Sequence, residues 1–397
     1  MPPAASRRRV LTALFIAQVM AGLAHGVTFS MGAILSADMA GEAWGGAAST
    51  VTTIGAALWA MPLAAIVDRK GRRASLSTGL ALGSVGALSA LFAAQSGIYL
   101  FLLLGFFFLG AAVAMNLQAR FAAADAADQK RKGRDISLVV WATTIGAILG
   151  PNLFDPTERL GAAFGLASFS GAYLVCIAAQ WVAIVVLQVM LRPEPAPVVS
   201  RGPKPKANLR EHPVVASAII TNAFSHFAMI AIMSMTAVHM HGHGASMTLI
   251  GITISAHVGG MYGLAPVFGW LADKWGALPT MLLGLAGTFT AAALLVPWSD
   301  NESVVVAALL TLGLGWSATL VGSSAVVAAA APPEQKAGLQ GRSDLTMNLT
   351  GALGGVISGP VVSVWGMPAM AVLVIVLMVA VLVGTTAVRR RGVGLSN

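Results

Sequence analysis

Cysteine is almost absent from this chain: Cys176 is the only one among 397 residues. A single cysteine closes no intramolecular disulfide, and no thiolate cluster for a metal can be built around it. Charge is scarce as well, at 10% of residues, where a soluble domain carries about 25%. Gly-rich phosphate loops, nucleophile elbows and HExxH pairs are missing, so no enzyme constellation is present and no resident cofactor is expected. Hydrocarbon fills the space that these absences leave. The chain is 57% hydrophobic with mean hydropathy +0.80, and its apolar residues fall in runs long enough to cross about 30 Å of bilayer. The composition therefore reads as an all-α, multi-pass membrane protein whose permanent partner is lipid.

The net charge of +9 would suit a nucleic-acid binder if it were clustered, but it is dispersed with a rhythm. Arg7, Arg8 and Arg9 precede the first apolar run, and Arg69, Lys70, Arg72 and Arg73 follow the second. Lys130, Arg131, Lys132 and Arg134 follow the fourth, five basic residues lie between the sixth and seventh, and Arg389–Arg391 close the last. Alternate connections are nearly bare of Lys and Arg, Arg159 excepted. This is the positive-inside pattern, which places both termini in the cytoplasm of an inner-membrane protein and excludes a nucleic-acid partner. The first apolar run, about 25 residues, exceeds a signal-peptide core of about 7–15, so it is expected to remain as a helix.

Twelve spans are expected, at 10–35, 47–67, 75–94, 98–120, 136–154, 165–191, 214–240, 248–271, 278–297, 303–330, 343–365 and 368–388. The proline- and charge-rich stretch after the sixth has no apolar face. It divides the chain into a six-helix bundle at 1–191, a cytoplasmic linker at 192–213 and a second six-helix bundle at 214–397. The two halves repeat. "AAIVDRKGRR" after the second span matches "GWLADKWG" after the eighth, aligning Asp68 with Asp273 and Gly71 with Gly276; "GAILGP" (Gly146 to Pro151) matches "GVISGP" (Gly355 to Pro360); "DQK" at Asp128 matches "EQK" at Glu334. All three fall at nearly one offset, as in a duplicated bundle whose halves are related by an axis along the membrane normal.

These residues resemble the major facilitator superfamily over essentially the whole chain. Its loop signature G-x-L-A-D-R-x-G-R-R/K is met by Asp68, Arg69, Gly71, Arg72 and Arg73, with Ala64 in place of the leading glycine and Gly269 keeping it in the second copy. The resemblance implies alternating access between two pseudo-symmetric bundles. An acidic group at a helix end beside arginines suits a gate, pairing in one state and releasing in another, which makes Asp68, Arg69, Gly71, Arg72, Arg73 and Asp273 gating candidates. The fifth-span G-x-x-x-G-P is followed by "NLF", not by the Gly-Gly of many drug antiporters.

Polar residues inside the spans are few: His25, His226, His257, Asn116, Asn152, Asn222, Asn348 and Arg120. Every Asp and Glu is expected in or near a connection, which argues against a proton-coupled carrier built on a buried carboxylate. Against this background two i, i+4 pairs stand out, Met229/Met233 in the seventh span and His257/Met261 in the eighth. Residues four apart share a helical face. Both cross-pairings are centred on residue 245, inside the turn "HGHGAS", so Met233 is expected level with His257 about 15 Å below the turn, and Met229 level with Met261 about 20 Å below it. His226, Met229, Met233 and Met240 fall within about 60° of one another, and His239, His241 and His243 stand above them.

Thioethers with imidazole suit copper, above all Cu(I). The two pairs also resemble the paired motifs of CcoA-like (CalT) copper importers, which implies a primary metal set of Met229, Met233, His257 and Met261. His226, Met240, His239, His241 and His243 are secondary candidates, and copper is then the cargo of a monomeric carrier. Methionine is equally good hydrocarbon filler, so the stripe also fits the apolar lining of a carrier for a small organic solute or drug. A non-transporting assembly factor or sensor is a third possibility, though it has no use for duplicated gating loops.

Overall fold

The computed structural model describes residues 4–41, 44, 47–150, 153–192 and 208–393; Pro151, Asn152 and most of the expected linker lie outside them. The described residues form twelve α-helices: α1 (Ala4–Ala40), α2 (Ala47–Ser96), α3 (Tyr99–Ala126), α4 (Lys132–Leu149), α5 (Phe154–Ala163), α6 (Ser170–Met190), α7 (Pro213–Gly242), α8 (Met247–Tyr262), α9 (Ala265–Lys274), α10 (Ala277–Trp298), α11 (Glu302–Ala330) and α12 (Lys336–Val393).

Nine stretches among the described residues are long and apolar enough to cross a membrane. Two of them, Ala47–Ser96 and Lys336–Thr385, run for 50 residues each, about twice what a bilayer needs. Both break where a glycine takes a backbone conformation closed to L side chains: Gly71 (φ 81, ψ 175) and Gly366 (φ 77, ψ 175). Beyond Gly71 the helix doubles back, and Ser75 Oγ donates to Leu63 O at 2.7 Å. Gly276, the repeat partner of Gly71, has the same character (φ 104, ψ 152) and precedes α10. Each of these two helices thus makes two crossings, α8 and α9 share one, and α4 adds one more, so the architecture is the twelve-crossing all-α bundle that the sequence suggests.

The chain forms two compact units, and each takes a short segment from the other half of the sequence. The first comprises Met1–Asp128, Ala142–Pro205 and Gln340–Leu345; the second comprises Gln129–Trp141, Lys206–Leu339 and Thr346–Asn397. The start of α4 therefore folds with the second unit, and a turn near the start of α12 folds with the first.

In the first unit, Leu102, Phe106, Leu109, Tyr173 and Cys176 pack against the alanine face Ala87, Ala90 and Ala93. In lipid no hydrophobic gain drives helices together, so small residues and internal polar pairs do it. A Cβ on Gly150 would fall 2.6 Å from the Gly26 carbonyl carbon, so the "GAILGP" copy on α4 does bring its helix onto α1. Gln180 accepts from Ser84 Oγ at 2.8 Å, and Gln18 Nε2 donates to Asn116 Oδ1 at 3.0 Å. Bonds of this kind average about 0.6 kcal/mol in membrane bundles.

In the second unit α7 and α11 are the enclosed helices: 72% and 67% of their spans are buried, against 28–44% for the others. The second motif copy packs differently from the first. A Cβ on Gly359 would meet nothing, whereas Gly351 and Gly354, earlier on α12, lie against His226 and Phe227 of α7. The apolar cluster around Ile232, Leu309, Met367 and Met370 forms this unit's core.

Candidate functional site

One face of α7 carries Asn222, Ser225, His226, Met229 and Met233, and the opposite side, Phe227, Ala228, Ala231 and Ile232, belongs to the core cluster. Trp316 Nε1 of α11 donates to His226 Nδ1 at 2.9 Å, which leaves the imidazole hydrogen of a neutral ring on Nε2. That edge of the ring lies against Gly351, where a Cβ would stand 2.9 Å from Nε2. Tyr262 packs edge-on against Trp316 at 5.8 Å. His226, Trp316 and Tyr262 thus form an aromatic cluster joining α7, α11 and α8.

His257 is wholly buried, and its Nδ1 lies 2.8 Å from Leu309 O of α11. A carbonyl only accepts, so Nδ1 carries the hydrogen and Nε2 of the neutral ring presents a lone pair. No group among the described residues bonds that nitrogen, and the buried Asn222 Oδ1 and Ser225 Oγ are likewise without partners. Buried polar atoms in native proteins nearly always have partners, so each of these atoms, with Ser317 Oγ of the same unit, is a point where a ligand or water can bond.

The register along α11 sets the heights. The end of α7 meets the start of α11, where His239 Nε2 lies 2.9 Å from Ser299 O, so the two helices run in opposite directions. From the His226–Trp316 pair, seven residues toward that end lead to Met233 on α7 and to Leu309, the partner of His257, on α11. Met233 and His257 therefore stand at one height, about 10 Å from the His226–Trp316 pair. Gly313 of α11 lies against Met261, where a Cβ would be 3.0 Å from the backbone nitrogen, and Met229 is at that height. Met229 and Met261 are buried and Met233 is partly exposed.

α7 and α8 are joined by the short turn expected between them, after Gly242 and before Met247. α7 and α8 pack chiefly on α11 rather than on each other, because Gly260 and Gly313 let α8 settle onto α11. Met240 lies in the apolar core. His239 and His243 stand together at the end of α7, with ring centroids 4.2 Å apart; the side chain of His241 is outside the described ones.

At the basic end of the first unit, Asp68 is half-buried and Arg69 exposed at the close of the first α2 limb. Gly71 makes the turn, and Arg72 folds inward, donating through Nε (2.9 Å) and Nη2 (2.6 Å) to Asp125 Oδ2 and through Nη2 to Gln340 Oε1. Arg73 Nη1 reaches Gln188 O at 3.5 Å. Deeper, Arg120 Nη2 donates to Asp344 Oδ1 at 2.5 Å, with both side chains sealed from solvent (1% and 0% exposed). In the second unit Asp273 accepts from the Gly133 N–H at 2.7 Å and the Arg134 N–H at 3.0 Å. These are unpaired donors of the first turn of α4, which favours a carboxylate. Repeat-related loops thus grip repeat-related helix starts, with guanidinium groups in one unit and a carboxylate in the other.

Asp344 corrects the sequence reading that no carboxylate lies well inside a helix. It is fully buried, as is Asp135 at 2% exposure. The expected span began at 343, whereas the helix starts at Lys336, so Asp344 lies two turns inside it. A buried carboxylate is therefore present, paired with Arg120.

The sequence profile described as Major Facilitator Superfamily matches residues 14–238 and again 215–393. The chain belongs to the major facilitator superfamily. Its relatives in that superfamily include the uncharacterized MFS-type transporter YdeG of Bacillus subtilis (strain 168), 34% identical over 90% of this chain and 86% of the relative. The riboflavin transporter RfnT of Brucella anthropi is 26% identical over 87% of each. The human organic anion transporter MFSD10 (TETRAN) superposes with a TM-score of 0.77 at 16% identity, covering 97% of this chain and all of the other, which is a likeness of fold.

Proposed function

We propose that the chain is a secondary transporter that carries a small organic solute across a bacterial cytoplasmic membrane by alternating access. The solute would bind along the α7–α8–α11 face of the second unit. The observation that carries this reading is the buried, unpartnered His257 Nε2, an acceptor awaiting an O–H or N–H donor. Asn222 Oδ1 and Ser225 Oγ offer further hydrogen bonds, and Trp316 with Tyr262 offers a stacking surface for a flat ring. The riboflavin named for RfnT is a molecule of that class, flat and rich in hydrogen-bonding groups.

A second reading rests on the same nitrogen. Neutral His257 Nε2, with buried Met229 and Met261 and with Met233 at its own height, is a donor set suited to Cu(I). It supports the copper importer implied by the helix-7 and helix-8 motifs.

Both are tested on purified full-length protein. Thermal stabilisation is screened against flavins, nucleobases, aromatic carboxylates and Cu(I), and hits are followed by uptake into proteoliposomes. The organic-solute reading expects a stabilising organic ligand whose uptake is lost in His257→Leu but survives the triple Met→Leu change at 229, 233 and 261 within about twofold, since volume and polarity barely change. Uptake of Cu(I) alone, abolished by that triple change, would establish the second reading instead.

A further inference from the structure

At the end of α7 away from the arginine-rich loops, two imidazoles and a carboxylate converge. His239 and His243 are one turn apart, and Asp300 comes from the connection between α10 and α11. One ligand atom from each lies within 4.8 Å of the other two. The hydrogen bonds fix the tautomers. His243 Nδ1 lies 2.8 Å from the His239 carbonyl, which can only accept, so Nδ1 holds the hydrogen and Nε2 of the neutral ring is a lone pair. In the neutral ring that lone pair faces Asp300 Oδ1 at 3.4 Å, an oxygen that also accepts from Ser299 Oγ at 3.2 Å, so two electron-rich atoms confront each other. His239 Nε2 is 3.7 Å from the same oxygen, and its side chain is 8% exposed while those of His243 and Asp300 reach water.

The 3.4 Å separation is what a shared metal would set: a tetrahedral ion with bonds of about 2.0–2.1 Å spaces its ligands about 3.4 Å apart. Two imidazole nitrogens and one carboxylate oxygen, with an open fourth position for water, suit a borderline divalent ion far better than Ca2+ or Mg2+, which want an oxygen cage.

We propose that His239, His243 and Asp300 form a binding site for a divalent cation of the zinc type, separate from the buried stripe and independent of what that stripe carries. His239 joins through Nε2 on releasing Ser299 O. The bound ion ties the end of α7, the helix bearing His226, Met229 and Met233, to the α10–α11 connection.

The test uses the full-length chain freed of any affinity tag, with Zn2+ as the probe, read by calorimetry and by elemental analysis after dialysis. One Zn2+ per chain is expected, with affinity falling about tenfold or more in both His243→Ala and Asp300→Asn. Both positions are solvent-facing, so the variants keep the fold. His212→Gln, at a histidine bonded to Gln335 far along the chain, is expected to bind as the parent does. Absence of stoichiometric Zn2+, or equal affinity in the parent and both site variants, overturns the proposal; in that case His243 and Asp300 are an ordinary ion pair with the proton on Nε2. Equal loss in His212→Gln also overturns it.

Discussion

Removing either partner of the Arg120–Asp344 pair should cost far more than removing both. The two groups are sealed from solvent and bonded at 2.5 Å, and the guanidinium also lies 4.7 Å over the Phe121 ring. Stripping one partner strands a buried charge, a change that costs about 3–5 kcal/mol, whereas replacing a buried pair by neutral groups is often close to neutral. Arg120→Met and Asp344→Asn are therefore each expected to lose about 3 kcal/mol, and the double variant no more than either alone. Denaturant unfolding in mixed micelles reads the cycle. A second readout follows from the near absence of cysteine. Cys176 is buried, and Ser343, one residue from Asp344, is 2% exposed within the segment that folds with the first unit. In Ser343→Cys protein the new thiol should resist a water-soluble maleimide, and should react about tenfold faster or more once Arg120→Met is added, because the Gln340–Leu345 turn is released. Additive energies in the cycle, with labelling unchanged, would refute the claim that this pair holds α12 in the first unit.

Three further outcomes follow from particular residues. Gly71→Ala and Gly276→Ala force a side chain into backbone conformations near φ 81 and φ 104 and should each destabilise by about 1–3 kcal/mol, whereas Gly359→Ala, where a Cβ meets nothing, should unfold at a midpoint close to that of the parent. His257→Leu removes a buried acceptor that lacks a partner together with the Nδ1–H bond to Leu309 O, so the two effects offset and stability should change by no more than about 1 kcal/mol while ligand-induced stabilisation is abolished; a loss of about 3 kcal/mol or more would show that Nε2 is satisfied as well. Asp273→Ala leaves the Gly133 and Arg134 N–H groups uncapped and should cost about 0.5–2 kcal/mol, with faster amide exchange at the start of α4 as the diagnostic measurement.

Much of the architecture could be read from the chain because lipid permits so few solutions: apolar length gives the crossings, and the Asp68/Asp273 and Gly71/Gly276 repeats give the duplication. The two glycines also foretell their own backbone, since a loop motif that keeps glycine in both copies marks a turn no other residue can make. What could not be read depends on partners remote in sequence. The burial of Asp344 could not be read because hydropathy windows place helix ends by composition and say nothing of its partner, Arg120, 224 positions away. The chain held one clue: an arginine late in an apolar helix needs an anion somewhere, and only a short inventory of carboxylates could supply it. For the same reason α8 settled on α11 instead of α7, since Gly260 and Gly313 act together only once the helices are packed. The exchange of the α4 and α12 starts leaves each unit holding its borrowed segment by a grip, made of guanidinium groups in the first and of a carboxylate on helix-start amides in the second. The first strands a buried charge when it opens, whereas the second exposes only amides that water can satisfy. The Arg120–Asp344 grip should therefore hold its segment more tightly, and Arg120→Met should speed amide exchange across 340–345 more than Asp273→Asn speeds it at the start of α4; the reverse order would show that the helix-start cap is the stronger latch.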